Sequence, residues 1–287
     1  LVLITALNPA TIGGEPPLLE YIALAEKFGF GGVEFSINAV THFAQETSWD
    51  TVRNAFEQYG VAPALFGLPV EWRKDDNAFA EDLKHLAGFA ASASEIGCTR
   101  AGTWLPPAID GSADEFRRQV CKRFQLVAPI LADFNISLAL EFVGPVTCRT
   151  GPNAHGKYPF IYTMGQTLDL IDEVDAPANN IGLLIDSFHW YTSGATIENI
   201  LMLRADQVVH VHINDAPNRP LKEQMDFERL LPGEGVINLK GFLRTLAQVG
   251  YDGYVAVETF NKELGARGFE EAAQLTELSV ERLLATL

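Results

Sequence analysis

Eight short apolar runs of strand type punctuate the chain, and stretches with helical spacing separate them. The runs are LVLITAL (1–7), GGVEFSI (31–37), VAPALFG (61–67), TRAGTWL (99–105), SLALEF (137–142), NIGLLID (180–186), QVVHVHI (207–213) and GYVAVE (253–258). After the first, Pro16-Pro17 opens a helix in which Leu18, Ile22, Ala25 and Phe28 recur on one face, and Gly29 stops it. Ser48 or Asp50 caps a helix carrying Val52, Ala55, Phe56 and Tyr59, which Gly60 ends. Asp75 and Asp76 start a long helix with Phe79, Leu83, Leu86 and Ala90 on one stripe. Ser112 to Glu115 reads as a capping box ahead of Phe116, Val120, Phe124, Val127 and Leu131, and Pro129 within that pattern predicts a kink or an early end. Further helices are predicted over 164–175, 196–204, 238–249 and 269–286.

Strict alternation of β and α with apolar strands implies a parallel sheet covered by helices. Eight units favour closure into a (β/α)8 TIM barrel over an open sheet. A chain of 287 residues fits such a barrel as one domain, 1–287, since these folds run to roughly 250 residues. No GxGxxG or GxxxxGK follows a strand, so neither dinucleotide nor P-loop chemistry is signalled. Two long loops, 143–163 and 214–236, follow the fifth and seventh strands. Loops longer than about 15 residues are often functional, and in a barrel both would lie over the catalytic face.

Charge narrows the partners. Lys and Arg number 21 against 37 Asp and Glu, for a net charge of −16. Such a surface repels phosphate backbones and anionic lipid, which argues against nucleic acid and against a membrane surface. No stretch approaches the ~18 apolar residues of a membrane span, and LVLITALNPA lacks the marks of a signal sequence. Cys98, Cys121 and Cys148 show no CxxC pairing, so reduced thiols and a cytoplasmic location are expected. Oligomeric state leaves little trace in the sequence, and a homo-oligomer stays open.

The candidate chemistry sits where the last four strands stop. SLALEF, LLIDSFH, VHVHIND and VAVETF bring Glu141, Asp186, His212 and Glu258 to strand ends, and barrel closure would gather those ends on one face. Any one of them alone reads as a surface charge or a helix cap. Four at equivalent positions, each behind an apolar run where an unpaired charge is costly, point to one divalent cation. Three carboxylates and one imidazole suit Mn²⁺, Zn²⁺, Co²⁺ or Mg²⁺. His189, just past Asp186, reads equally as a loop histidine, a substrate contact or a ligand's partner. His210 shares the face of His212 one layer deeper, as a hydrogen-bonded core histidine would. His42 and His85 read as surface residues. Arg149, His155 and Lys157 in the first loop could meet an anionic group, although solvated loop charge is the plainer reading; Arg219, seven residues after His212, is a better candidate because it leaves the metal strand directly. Glu234 could order the second loop. Trp72, beside Arg73 after the third strand, could line an apolar sugar face or pack into the loop.

These same residues carry a likeness. Through LALEFVGP, LLIDSFHWYTSG, HINDAP, LPGEGVINL and VAVETF, the whole chain resembles the xylose isomerase-like TIM barrels, the sugar phosphate isomerase/epimerase superfamily. Within it, the carboxylate-Phe-Val-Gly after strand five and the Asp-Ser-Phe-His after strand six are most similar to the inosose (2-keto-myo-inositol) isomerases. The stretch between Glu141 and Asp186 is longer than that likeness leads one to expect. The resemblance implies a single-metal site of Glu141, Asp186, His212 and Glu258, with Mn²⁺ as the expected ion. It implies that Glu141 and Glu258 are also the acid/base pair, that His189 contacts substrate, and that Arg219 matches a substrate-binding arginine of the ketose epimerase branch. The implied reaction is proton transfer next to the carbonyl of a ketose or keto-inositol. The rival readings are a 3-dehydroshikimate-type dehydratase on the same site and a barrel that binds a sugar or polyol without turning it over. The scaffold also hosts an apurinic endonuclease, which would need more metal ligands and a basic groove.

Overall fold

The computed structural model describes residues 3–287, so the first two residues of the predicted opening strand lie outside it. Eight parallel strands close into a barrel: β1 Ile4–Leu7, β2 Gly32–Phe35, β3 Ala62–Gly67, β4 Arg100–Leu105, β5 Ser137–Phe142, β6 Ile181–Asp186, β7 Val208–Ile213 and β8 Tyr254–Val257. Each pairs with its neighbours in sequence, and β1 closes the ring on β8 from Ile4↔Tyr254 to Leu7↔Val257. This is the (β/α)8 architecture that the alternation predicts.

Strand parity divides the apolar residues into two sets. Val33, Phe35, Leu138, Leu140, Phe142, Leu183, Ile185, Val211, Ile213, Val255 and Val257 belong to the large core between barrel and helices. The residues that fill the barrel interior are small or few: Ala6, Ala64 and Ala256 under Tyr254, and Leu65, Ala139 and Leu184 beside Val209, with Ala64 and Leu65 consecutive where the pairing of β3 with β2 slips by one residue. The next inward position on several strands is polar, namely Asn8, Glu34, Glu141, Asp186, His212 and Glu258. The interior therefore changes from apolar to charged at its C-terminal end, and the alternation with period two is what sets that boundary.

The outer layer follows the sequence closely in most places. Ser48 caps the helix Trp49–Tyr59 by accepting from Thr51 N, and Gly60 ends it at φ 64°. Asp75 caps Asp76–Glu95 by accepting from Asn77 N and Ala78 N. The helix Ala113–Ala132 runs through Pro129 and stops three residues later. Three helices escaped the sequence reading: Ile37–Glu46, Ser187–Thr192 and Lys262–Gly265. Ile37 looked like the end of an apolar strand but is the first residue of its helix, after Ser36 in extended conformation. The helix Ser187–Thr192 begins directly at the end of β6, so no turn signal separates the two.

The two long loops are tied down. Tyr158–Pro159 pairs antiparallel with Ala108–Ile109, clasping the β5 loop to the β4 loop. Thr147 Oγ1 donates to Gln224 O at 2.7 Å, joining the first long loop to the second. Among the described residues no helix is long and apolar enough to cross a membrane.

Candidate metal centre

Barrel closure brings Glu141, Asp186, His212 and Glu258 together at the C-terminal rim. One oxygen or nitrogen from each lies within 4.8 Å of all the others. His212 Nδ1 is the hub, at 3.3 Å from Glu258 Oε2, 3.6 Å from Glu141 Oε1 and 4.0 Å from Asp186 Oδ2. Glu141, Asp186 and His212 are buried, and Glu258 is half-buried.

Local structure fixes each side chain. Asp186 divides its two oxygens: Oδ1 caps the helix Ser187–Thr192 by accepting from Phe188 N (2.7 Å) and His189 N (3.1 Å). Its Oδ2 turns inward and accepts from Asn214 Nδ2 at 2.8 Å and Arg229 Nη1 at 3.1 Å. Asn214 also donates to the carbonyl of Glu258 at 2.9 Å, which holds the end of β8 against β7. Arg229 Nη1 donates to Glu258 Oε2 at 2.8 Å, while Nη2 meets Asp226 Oδ1 at 2.8 Å and His189 Nε2 at 3.0 Å. Below His212 lies Glu34, whose Oε1 is 2.9 Å from His212 Nε2 and 2.5 Å from His210 Nε2.

Burial and charge pull the ionisable groups in different directions. Burial raises the pKa of Glu141, and the negative charge of Glu258 adds to that rise. Burial would raise Glu258 too, but His212 and Arg229 outweigh it and hold this carboxyl below the ordinary range. Burial opposes a charge on His212, yet Glu34 and Glu258 overrule it and lift the imidazole well above its usual value. Glu34 stays ionised despite complete burial because His212 and His210 face it. Arg229 loses solvation but gains Asp226, Asp186 and Glu258, so its charge is held firmly.

The residues fit a divalent cation. Glu141 Oε1 and His212 Nδ1 are buried atoms without a hydrogen-bond partner, and they face each other. Orphaned buried polar atoms are costly, and a shared cation would satisfy both. Three carboxylates and one imidazole form a donor set for a hard or borderline ion, and no cysteine joins them. The carboxylate of Glu34 behind the imidazole is the arrangement that usually orients a metal-binding histidine.

Beside this cluster opens a cavity of about 490 Å³, within the range of small-molecule sites. Its ionisable lining is Glu15, Glu34, Glu141, Glu258 and His212, with Trp104, Leu68, Pro69 and Phe35 as apolar walls. Three larger hollows, about 560, 820 and 1040 Å³, lie in the outer helical layer and contain none of the rim residues.

The other residues singled out from sequence are scattered. His189 is buried and approaches Glu141 Oε1 at 3.9 Å. His155 is exposed and stands edge-on to Trp104 at 5.6 Å between ring centroids. Trp72 is fully buried, packs on Phe124 at 4.9 Å and donates from Nε1 to Thr103 Oγ1, so its ring faces the helical layer and not the cavity. The cavity wall carries Trp104 instead, and the Arg73 guanidinium lies between the two indoles. Arg219 pairs with Glu228 and does not line the cavity. Arg229, ten residues on, reaches the cluster. His210 is the buried, hydrogen-bonded histidine that strand parity implies. Sequence reasoning overlooked Glu34, Asn8, Asn214, Asp226 and Arg229. Glu34 did leave a signal, as the one charged residue in the strand GVEF. Arg229 left none, since nothing in a long irregular loop distinguishes an inward cation from a solvated one.

A closed parallel barrel with acidic and histidine side chains converging at its C-terminal rim is the xylose isomerase-like type of TIM barrel. The chain belongs to that family: the xylose isomerase-like TIM barrel model matches residues 22–283. Among its relatives, the inosose isomerase of Bacillus velezensis is 23% identical over 282 residues, covering 97% of this chain and 96% of the relative. Among solved structures, a xylose isomerase domain protein from Alicyclobacillus acidocaldarius superposes with a TM-score of 0.88 at 30% identity, over 99% of this chain and 98% of that one. The IOLI protein with a bound zinc atom superposes with a TM-score of 0.82 at 22% identity, over 99% of both chains.

Proposed function

We propose that the protein is a divalent-metal-dependent isomerase or epimerase that moves a proton next to the carbonyl of an uncharged ketose or keto-inositol. The observation that carries this reading is the pairing of Glu141 and Glu258 around His212 Nδ1, in a cavity lined by acidic side chains and His212, with no lysine or arginine among its lining residues. Glu141, Asp186, His212 and Glu258 would hold the ion, with Mn²⁺ first choice and the zinc bound by the IOLI protein making Zn²⁺ the close second. When bound, such an ion polarises a carbonyl and stabilises negative charge that develops on its oxygen.

The chain's own groups do the proton work. One glutamate takes the proton and the other returns it, to the same carbon for epimerisation or to its neighbour for isomerisation. In the metal-free protein His212 and Arg229 keep Glu258 ionised, while burial and the charge of Glu258 raise the pKa of Glu141. His189, hydrogen-bonded to Arg229, is held beside Glu141 where it can orient a substrate hydroxyl. Trp104 offers an apolar face to the ring carbons, as aromatic walls do in many small-molecule sites.

The lining also weighs against a carboxylated or phosphorylated substrate. Arg149 is spent on the carbonyls of Gly144 and Pro145 and stacks on Tyr162. Lys157 is exposed, Arg219 is paired with Glu228, and Arg229 is surrounded by Asp186, Asp226 and Glu258. A dehydratase acting on a keto acid would need one of these cations turned into the cavity, and none of them lines it. The test is to strip the protein with a chelator, reload Mn²⁺, and incubate it in D₂O with ketoses, inososes and 3-dehydroshikimate, followed by proton NMR. Deuterium appearing next to the carbonyl of a neutral substrate, with metal only, is the expected result. Loss of water from 3-dehydroshikimate alone would make the protein a dehydratase. Saturable binding without exchange would make it a binding barrel.

A further inference from the structure

The proton-transfer reading leaves Glu34 without a part. It is 4% exposed and lies on the opposite flank of His212 from Glu141, Asp186 and Glu258. A carboxyl group at that depth is costly unless several partners satisfy it. Glu34 has three: His210 Nε2 at 2.5 Å and His212 Nε2 at 2.9 Å on Oε1, and Asn8 Nδ2 at 2.5 Å on Oε2. Asn8 is itself oriented, because its Oδ1 accepts from Ala10 N at 2.7 Å, and its Nδ2 also reaches Glu258 Oε1 at 3.4 Å. Glu34 thus touches one candidate ligand directly and a second through Asn8.

The strands deform where this network sits. Pairing of β2 with β3 slips by one residue between Val33 and Glu34, and pairing of β6 with β7 slips between Leu183 and Leu184, opposite His210. Such irregularities re-aim side chains and are common next to active sites. A carboxylate that faces two imidazole nitrogens requires both to donate, so Nε2 of His212 keeps its proton and Nδ1 is the nitrogen open to a ligand role. With Nε2–H committed to Glu34, Nδ1 is the nitrogen that faces the three carboxylates and the one whose proton a cation would displace.

We propose that Glu34 is a positioning residue of the candidate metal centre: it fixes His212 in the tautomer that presents Nδ1, and through Asn8 it orients Glu258. This rests on the metal-centre reading above. Glu34→Gln is nearly isosteric but cannot serve both sides. An amide turned to accept from the histidines opposes its NH₂ to that of Asn8, and the reverse orientation opposes it to the imidazole N–H groups.

The experiment is a Co²⁺ titration of chelator-stripped wild type and Glu34→Gln, read by calorimetry and by the visible absorption of the bound ion, with a melting curve of each metal-free protein. Wild type should bind one Co²⁺, and the variant should bind it about 10–100-fold more weakly with a changed spectrum, the usual effect of losing a histidine's carboxylate partner. A variant that binds within about twofold of wild type, with the same spectrum, overturns the proposal and leaves the metal centre standing. Wild type that binds no Co²⁺ overturns both. If Glu34→Gln does not fold, ¹⁵N NMR of the histidine rings in Zn²⁺-loaded wild type decides. A proton on Nε2 of His212 is expected, and a proton on Nδ1 sinks the idea.

Discussion

Removing the guanidinium of Arg229 tests the charge balance of the site most directly. Its side chain is 1% exposed and meets Asp186 at 3.1 Å, Glu258 at 2.8 Å and Asp226 at 2.8 Å, with the Phe260 ring 4.5 Å from its centre. Arg229→Met keeps much of the volume and deletes the charge. In the metal-free protein three carboxylates then lose a shared partner. Stripping one member from a buried ion pair costs about 3–5 kcal/mol. Unfolding entropy of roughly 2.1 cal/mol/K per residue gives about 0.6 kcal/mol/K for 287 residues, so Tm should fall by about 5–8 °C.

Two further readings follow from the same geometry. A divalent ion neutralises the same carboxylates, so Mn²⁺ or Zn²⁺ should raise the Tm of the variant more than that of wild type. The pH dependence has a definite sign. Asp226 and Glu258 have depressed pKa values in the folded protein, burial notwithstanding, with Arg229 among the causes. That stabilisation is complete above their unfolded values near 4 and is lost as pH falls through the folded ones. The gap between wild type and variant should therefore be widest above about pH 5 and close in acid. Thermal melts followed by circular dichroism, with chelator and with metal, measure all three. A metal-free variant that melts within about 1 °C of wild type, or equal metal-induced shifts in both, refutes the reasoning.

Glu141→Gln and Glu258→Gln should each cut turnover by about 10²–10⁴-fold while the barrel still folds, and full activity in either removes it from the acid/base pair. Trp72→Ala should cost about 3–5 kcal/mol of stability, being a fully buried aromatic. Trp104→Ala, at a position 40% exposed on the cavity wall, should leave the melting curve nearly unchanged and raise KM; the reverse pattern would overturn the placement of the cavity. Because His212 is held charged in the metal-free protein, metal must displace its proton, so affinity should rise with pH. Calorimetry in buffers of different ionisation enthalpy should show about one proton released per ion, and a pH-independent affinity would argue against His212 as a ligand.

The sequence alone determined the barrel and the positions of four candidate ligands. Both are local properties. Apolar runs of strand length alternate with helical stripes, and Glu141, Asp186, His212 and Glu258 each end such a run. Period two then says which neighbours share their face, and it placed His210 one layer below His212 correctly. Helices that begin without a turn, such as Ser187–Thr192, were lost because Asp186 is at once a strand end and a helix cap.

What the sequence could not determine is which groups meet across the barrel. Glu34 is separated from His212 by 178 positions and joins it only because closure and strand register set β2 opposite β7. The second long loop carries Arg219 and Arg229, both plausible from composition. Tertiary hydrogen bonds choose between them. Asp215 accepts from Ala216, Gly233, Gly235 and Ile237, and its backbone pairs with Leu230, so the chain is turned with Arg229 inward while Arg219 meets Glu228. Of the two readings open for Trp72, packing wins for the same kind of reason, since Phe116 and Phe124 of a distant helix claim it; Trp104, which the sequence did not single out, stands on the cavity wall. Periodicity fixes the side of a strand on which a residue lies. The partner it finds there depends on how the ring closes and how the loops are pinned, and those are properties of the assembled fold.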